Sequence, residues 1–324
     1  MKIFKRKRRL AISISVFSII LLIIVSLLSG KDEGIHLTYK SQEGYVKMMA
    51  MYERFLKTMS SPYQEIDIKT SWGITHVIKT GAKNKKPLVI LHGGGSNAAI
   101  ISLFIKPFIK DYTIYSIDFM GEPGKSVPIR IPIEERDLAD WLNEVFVGLR
   151  IDRADIIGFS WGAYTGQRFL KYYSHKVNKL AACLNTYLKG DEGFSISTLG
   201  QLIYYNMFPT QNNTKKFLVK LHSGPIMNKE AYKLLLDHFN GMAKYCRSVP
   251  YKMGGTSLSS IKKIQKPVLI VIGEKDCFFD AQRGKKYLQR AKNPNIQMKI
   301  IKDMGHLVVD DIYNVLVIIS DFLK

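Results

Sequence analysis

Short apolar runs at residues 86–91, 112–118, 154–159 and 177–184 alternate with stretches of helical length at 98–110, 134–149 and 163–173. No other feature restricts the fold as strongly. Strands that alternate with helices of this length build βαβ units and a mainly parallel sheet, so the expected class is α/β. Upstream, residues 41–59 read as an amphipathic helix ended by Ser60-Ser61-Pro62, and residues 65–71 and 74–80 read as a hairpin turning at Trp72-Gly73. The rhythm stops at Asn185 and resumes with a strand at 267–272, a helix at 281–291, a strand at 297–301 and a closing helix at 307–323. The roughly eighty residues between, 185–266, carry helical patches such as 230–239 and no clear strand; they are too many for an unstructured loop in a compact domain. An inserted helical cap is the expectation.

The N-terminus obeys a different rule. Residues 1–9 carry six positive charges and no acid, and residues 10–28 are nineteen residues without a charge, about the length that spans a hydrocarbon core as a helix. A secretory leader usually has a shorter apolar region and ends in a small-residue cleavage site. This run ends Ser26-Leu27-Leu28-Ser29-Gly30 and has no nearby cysteine for a lipid anchor, so an uncleaved transmembrane anchor is expected in preference to a cleaved leader. A buried core helix fits poorly between a basic block and Lys31-Asp32-Glu33-Gly34. The basic block then stays cytoplasmic and everything beyond residue 30 lies outside. The expected organisation is a basic tail at 1–9, an anchor at 10–28, a linker and helix at 29–62, a first core segment at 63–184, the cap at 185–266 and a second core segment at 267–324.

The formal charge is +21, of which +15 falls beyond residue 9. Attraction to an anionic envelope surface is one use for that excess, and a solvated lysine-rich surface is the plainer one. No zinc spacing, RNP-like strand or separate helix-turn-helix accompanies the charge, so nucleic acid is not an expected partner. Cys183, Cys246 and Cys277 are too few and too scattered for a disulfide framework or a metal site.

The chemistry is concentrated at strand ends. Gly158-Phe159-Ser160-Trp161-Gly162 joins the 154–159 strand to a helix, the context in which flanking glycines allow a strained turn to project a serine. A serine hydroxyl needs a base for its proton and an acid to orient that base. Asp276 ends the strand Val268-Leu269-Ile270-Val271-Ile272-Gly273 three residues beyond its glycine, and His306 follows the last strand in Met304-Gly305-His306, so both fall on the carboxyl edge of the sheet. Asp118, Asp191, Asp280, Asp310 and Asp311 are alternative acids without Asp276's position at a strand end behind a glycine. The loop His92-Gly93-Gly94-Gly95-Ser96 offers backbone N–H groups for an oxyanion, with Gly94 and Trp161 as the expected donors. His92 is expected to order that loop. Gly124-Lys125-Ser126 ends like a phosphate-binding loop, but the glycine such a loop needs five positions before Gly124 is Phe119, which argues against nucleotide binding. Cys277 is expected to be a small packed side chain. Residues 202–208 either line an apolar pocket or pack the cap onto the core.

Over residues 63–324 the chain resembles the α/β-hydrolase family. The resemblance rests on Leu91-His92-Gly93-Gly94-Gly95, Asp118-Phe119-Met120-Gly121-Glu122-Pro123-Gly124-Lys125-Ser126, Gly158-Phe159-Ser160-Trp161-Gly162, Gly273-Glu274-Lys275-Asp276 and Gly305-His306. It implies Ser160 as nucleophile, Asp276 as acid, His306 as base, Gly94 and Trp161 at the oxyanion hole, and a helical lid in residues 185–266. The segment from Asp118 to Ser126 is one residue longer than the usual family pattern, which predicts a changed loop. The function implied is a carboxylesterase-like serine hydrolase acting on a small-molecule acyl substrate through an acyl-enzyme, without metal or organic cofactor. A peptidase or acyltransferase of the same fold, and a catalytically idle membrane-anchored binding protein, are the alternatives.

Overall fold

The structure is a computed structural model that describes residues 38–129, 136–185, 196–247 and 254–324. The expected membrane anchor at 10–28 lies outside the described residues; among those described, no helix is long and apolar enough to cross a membrane.

Eight strands form one sheet: β1 (Tyr63–Thr70), β2 (Gly73–Gly81), β3 (Lys86–Leu91), β4 (Tyr112–Ile117), β5 (Ala154–Phe159), β6 (Val177–Cys183), β7 (Val268–Gly273) and β8 (Ile296–Ile301). Their spatial order is β1-β2-β4-β3-β5-β6-β7-β8. β2 runs antiparallel to β1 and β4, and the pairs from β4 through β8 are parallel. The hairpin places Asp67 opposite His76, where the carboxylate meets the His76 ring Nδ1 at 2.7 Å.

β7, and β3 from Pro87 onward, are apolar without interruption because both faces are covered. In β3, Val89 and Leu91 point into one core and Leu88 and Ile90 into the other. The first core is closed by α2 (Asp137–Gly148), through Leu138, Trp141, Leu142, Val145 and Phe146, and by α3 (Trp161–Tyr172). The second is closed by Ile101, Ile105 and Phe108, and by Val315, Leu316 and Ile319 of the closing helix α9 (Ile312–Leu323). α1 (Gln42–Leu56) is N-capped by Ser41, whose Oγ accepts from Gly44 N–H at 3.1 Å.

Between β6 and β7 lie α4 (Ile196–Met207), α5 (Gln211–His222), α6 (Lys229–Tyr245) and the short α7 (Leu258–Lys262), and α8 (Ala281–Ala291) follows β7. α1 packs on α6: Tyr52, Phe55 and Leu56 share a core with Leu235, and Lys40 Nζ donates to the Ala243 carbonyl at 2.8 Å near the end of α6. Ile261 of α7 is buried in the main core beside Val268 and Ala291, so this last helix packs with the sheet and α8.

Two segments differ from the sequence reading. Residues 98–110 form two 3₁₀ turns, Ala98–Leu103 and Lys106–Phe108, where one helix is expected. Pro107 has no N–H for an α-helical bond to Leu103, and its ring would crowd that carbonyl. The closing helix begins at Ile312 where the pattern suggests 307. Leu307 N–H is drawn to the Leu221 carbonyl at 2.9 Å, and the Asp310 carboxylate accepts from Met227 and Asn228 N–H at 2.7 and 2.8 Å. Tertiary bonds override the local periodicity there.

Candidate functional site

Ser160 stands between β5 and α3 with φ 49° and ψ −108°, a left-handed turn that a side-chain-bearing residue adopts only when its surroundings enforce it. Those surroundings are two close backbone approaches. A β-carbon on Gly158 would lie 2.4 Å from the Gly162 carbonyl oxygen, and one on Gly162 would lie 2.2 Å from that of Leu91. Ser160 N–H donates to the Cys183 carbonyl at 2.8 Å, and its own carbonyl starts the helix by accepting from Tyr164 N–H at 3.0 Å.

The three residues singled out from strand ends meet. His306 Nε2 is 3.1 Å from Ser160 Oγ, and His306 Nδ1 is 2.8 Å from Asp276 Oδ2. The other oxygen of Asp276 accepts from Phe278 and Phe279 N–H at 2.8 and 3.1 Å, so this fully buried carboxylate is held in a fixed direction. Glycines permit the crossing of the two loops: a β-carbon on Gly273 would fall 2.1 Å from the Met304 carbonyl oxygen, and one on Gly305 2.3 Å from that of Leu221. The Phe278 ring stands edge-on to His306, with centroids 4.6 Å apart and planes at 82°.

With Asp276 accepting from Nδ1–H, the imidazole carries its proton there and presents a lone pair at Nε2 to the serine hydroxyl. The arrangement can take a proton from Ser160 and return it to a leaving group.

The glycine loop after β3 runs beside the serine: a β-carbon on Gly93 would sit 3.6 Å from Ser160 Cβ. Gly94 follows in the same half-buried turn, and Trp161, buried and stacked on Tyr164 with centroids 5.3 Å apart, opens α3 directly after Ser160. His92 is buried and braces the loop. Its Nδ1–H donates to the Gly93 carbonyl at 2.7 Å and its Nε2 accepts from Phe119 N–H at 3.1 Å, a neutral ring whose pKa is lowered by burial.

Of the alternative acids, Asp118, Asp280 and Asp310 are engaged elsewhere, and Asp311 stands at the start of α9 without a side-chain capping bond. Asp118, fully buried, accepts from Tyr52 Oη at 2.9 Å, Ala98 N–H at 2.6 Å and Lys125 N–H at 2.9 Å. It ties the lengthened loop together, and Gly124 is needed beside it because a β-carbon there would meet Asp118 Cγ at 2.5 Å. Asp280 caps α8 through Arg283 N–H, Asp310 holds the chain before α6, and Asp191 lies outside the described residues. Cys277 packs with Leu202, Phe217 and Leu307, and burial, reinforced by the Asp276 charge, pushes its thiol up to about 12. In the 202–208 run, Tyr205 stacks on Phe217 at 4.5 Å and donates to the Phe239 carbonyl, which packs the inserted helices on one another; Tyr204, Met207 and Phe208 are about half exposed.

Two buried polar residues of this region escape sequence reasoning. Glu122 accepts from Gly95 N–H at 2.8 Å, and His238 of α6 meets the Gly95 carbonyl at 2.9 Å. Glu122 sits in a turn where an acid is unremarkable, and His238 lies in an amphipathic helix whose neighbours are apolar. Among the described residues no group of acidic, histidine or cysteine side chains could hold a metal ion.

The chain is 28% identical over 253 residues to an uncharacterized carboxylesterase, nap, of Bacillus subtilis, covering 74% of this chain and 80% of that protein. It is 24% identical over 280 residues to carboxylesterase YbfK of the same organism, covering 83% and 90%. The crystal structure of naproxen esterase (carboxylesterase NP) from Bacillus subtilis superposes with a TM-score of 0.76 at 21% identity, over 88% of this chain and all of that one. A family model described as the alpha/beta hydrolase fold matches residues 86–311, from the first parallel strand to the start of the closing helix, and the chain belongs to that family.

Proposed function

We propose that this protein is a serine hydrolase that cleaves a carboxylic ester, with Ser160 as nucleophile, His306 as general base and acid, and Asp276 as the group that orients His306. The observation that carries this reading is the continuous chain from Ser160 Oγ to His306 Nε2 at 3.1 Å and from His306 Nδ1 to Asp276 Oδ2 at 2.8 Å. The carboxylesterase relatives support an ester as the substrate.

As a substrate carbonyl approaches, His306 Nε2 takes the Ser160 proton and Oγ attacks the carbonyl carbon. The negative charge moves to the carbonyl oxygen, where Gly94 and Trp161 N–H donate to it. His306 passes its proton to the departing alcohol, leaving an ester between the acyl group and Ser160. A water then gives its proton to His306, attacks the acyl carbon, and releases the acid as the proton returns to Ser160. Asp276 keeps its charge throughout and stabilises the imidazolium. α4, α5 and α6 form the lid, and its sequence decides which acyl and alcohol groups are accepted.

In this reading residues 10–28 anchor the enzyme in a membrane with residues beyond 30 on the outer side, and the basic surface rests on an anionic envelope. The support is the uncharged nineteen-residue run behind six basic charges and the +15 beyond residue 9. Protease added to intact cells removes the C-terminal domain if this topology holds, and full protection sinks it.

Fluorophosphonate labelling of the full-length chain, beside hydrolysis of p-nitrophenyl esters of rising acyl length, tests the chemistry. Labelling and turnover are expected to vanish together in Ser160→Ala. A folded parent chain that neither labels nor turns over any ester excludes the proposal.

A further inference from the structure

Three consecutive glycines make a poor scaffold for a donor that must be fixed before the reaction begins. Glycine loses more conformational freedom on ordering than any other residue, and Gly93-Gly94-Gly95 has no side chain with which to hold itself. The order has to come from neighbours. One half is visible in the loop itself: the Gly93 carbonyl, in the same peptide unit as Gly94 N–H, accepts from His92 Nδ1–H at 2.7 Å and from Ser96 N–H at 3.3 Å.

The other half comes from outside it. Gly95 has φ +68°, and its two peptide groups are gripped by buried side chains from two different elements. Glu122, in the loop after β4, accepts from Gly95 N–H at 2.8 Å, and His238, on α6, meets the Gly95 carbonyl oxygen at 2.9 Å. A carbonyl can only accept, so the His238 proton is on Nε2. The ring is fully buried, edge-on to Phe55 with centroids 5.8 Å apart, so it has little room to turn. Met242, one helical turn further along α6, lies where a β-carbon on Gly95 would be, 2.4 Å from its Sδ, so α6 sits directly on the glycine. His92 is the titratable group that acts on His238, and burial lowers the pKa of both rings.

We propose that Glu122 and His238 are positioning residues for the oxyanion loop: together they lock the peptide units on both sides of Gly95, so that the adjoining Gly94 N–H is aimed at the reacting carbonyl only while α6 is seated on the loop. The proposal rests on the ester-hydrolase reading above. It gives α6 two duties, covering the site and completing it.

The test is steady-state kinetics of the full-length chain on p-nitrophenyl butyrate, with thermal unfolding of each variant. His238→Phe keeps a ring and removes the donor; Glu122→Met keeps length and removes the acceptor. Each is expected to lower kcat by roughly 10- to 100-fold, below the loss from deleting a donor outright, with KM changed less than about twofold. His238→Gln, whose amide can reach the Gly95 oxygen, and Glu122→Gln, which can still accept, recover at least about a third of the parent kcat. That rescue is what a packing role alone would not produce. If His238→Phe does not fold, His238→Asn, with an amide too short to reach, is read in its place. Folded variants with unchanged kcat, a loss confined to KM, or Gln variants as impaired as the others would overturn the assignment while leaving the hydrolase reading intact. A parent chain without Ser160-dependent turnover would overturn both.

Discussion

Gly162 lies so close under Leu91 that a β-carbon on it would stand 2.2 Å from the Leu91 carbonyl oxygen. The start of α3 and the end of β3 are therefore in backbone contact, and that contact brings the serine of one loop beside the glycine loop of the other. Gly162→Ala forces these backbones apart. It is expected to destabilise the fold by at least about 2 kcal/mol, the scale of overpacking in a core. The thermal midpoint should drop by roughly 3 °C or more, with ester turnover lost in whatever remains folded. A variant with unchanged midpoint and activity would contradict a tight backbone contact between Gly162 and Leu91.

In the proposed mechanism Asp276 acts on the serine through His306, which makes its replacement informative. Asp276→Asn keeps the shape of the side chain but can donate to Nδ1, favouring the tautomer with its proton on Nε2, facing Ser160. In a serine protease with the same kind of triad, the equivalent change leaves geometry intact and lowers kcat about 10⁴-fold. A loss of roughly 10³- to 10⁴-fold with a near-parent thermal midpoint is expected here, measured on a p-nitrophenyl ester. A loss under about tenfold would mean that another acid orients the base.

Much of this site is legible in the sequence because each part follows a strand end. Ser160, Asp276 and His306 each come just after a recognisable strand, and the sheet alone brings such positions to one edge. β3, β5 and α8 have the bounds their apolar patterns suggest. The roles of Glu122 and His238 are invisible to the same reasoning, because their partner is a backbone group 27 and 143 residues away, which no local pattern encodes. The broken helix at 98–108 was marked only by Pro107, while the delayed start of α9 depends on bonds from Leu307 and Asp310 to the chain around α5 and α6, which no local pattern encodes.

Cys277 beside the acid invites a thiol mechanism, and its environment argues otherwise. Burial, reinforced by the Asp276 charge, pushes the thiol up to about 12, so the nucleophilic thiolate is scarce at neutral pH. Iodoacetamide at pH 7.5 is expected to leave both Cys277 and ester turnover untouched over an hour in the native state and to modify all three cysteines after denaturation, as read by intact mass. Cys277→Ala should retain turnover within about threefold. Rapid native alkylation with loss of activity would reverse this assignment.

His238 also predicts how stability depends on pH. Burial lowers its pKa from 6.5 to about 4, with the Gly95 hydrogen bond opposing and neighbouring His92 adding to the shift. The sign follows from proton uptake: between these two values the unfolded chain binds a proton at this residue and the folded chain does not, so acid favours unfolding. The stability that neutral His238 provides is complete above about pH 6.5, declines as pH falls, and is gone below about pH 4. The total for this group is about 3 kcal/mol at 1.36 kcal/mol per pKa unit. His92, also lowered by burial, contributes in the same direction. Urea unfolding of the parent and of His238→Gln at pH 7.5 and pH 4.5 separates the two. The parent should lose about 2–3 kcal/mol more than the variant on acidification. Equal losses in both would mean that His238 takes up its proton as readily in the folded chain as in the unfolded one, and that its ring is not sealed between α6 and the glycine loop.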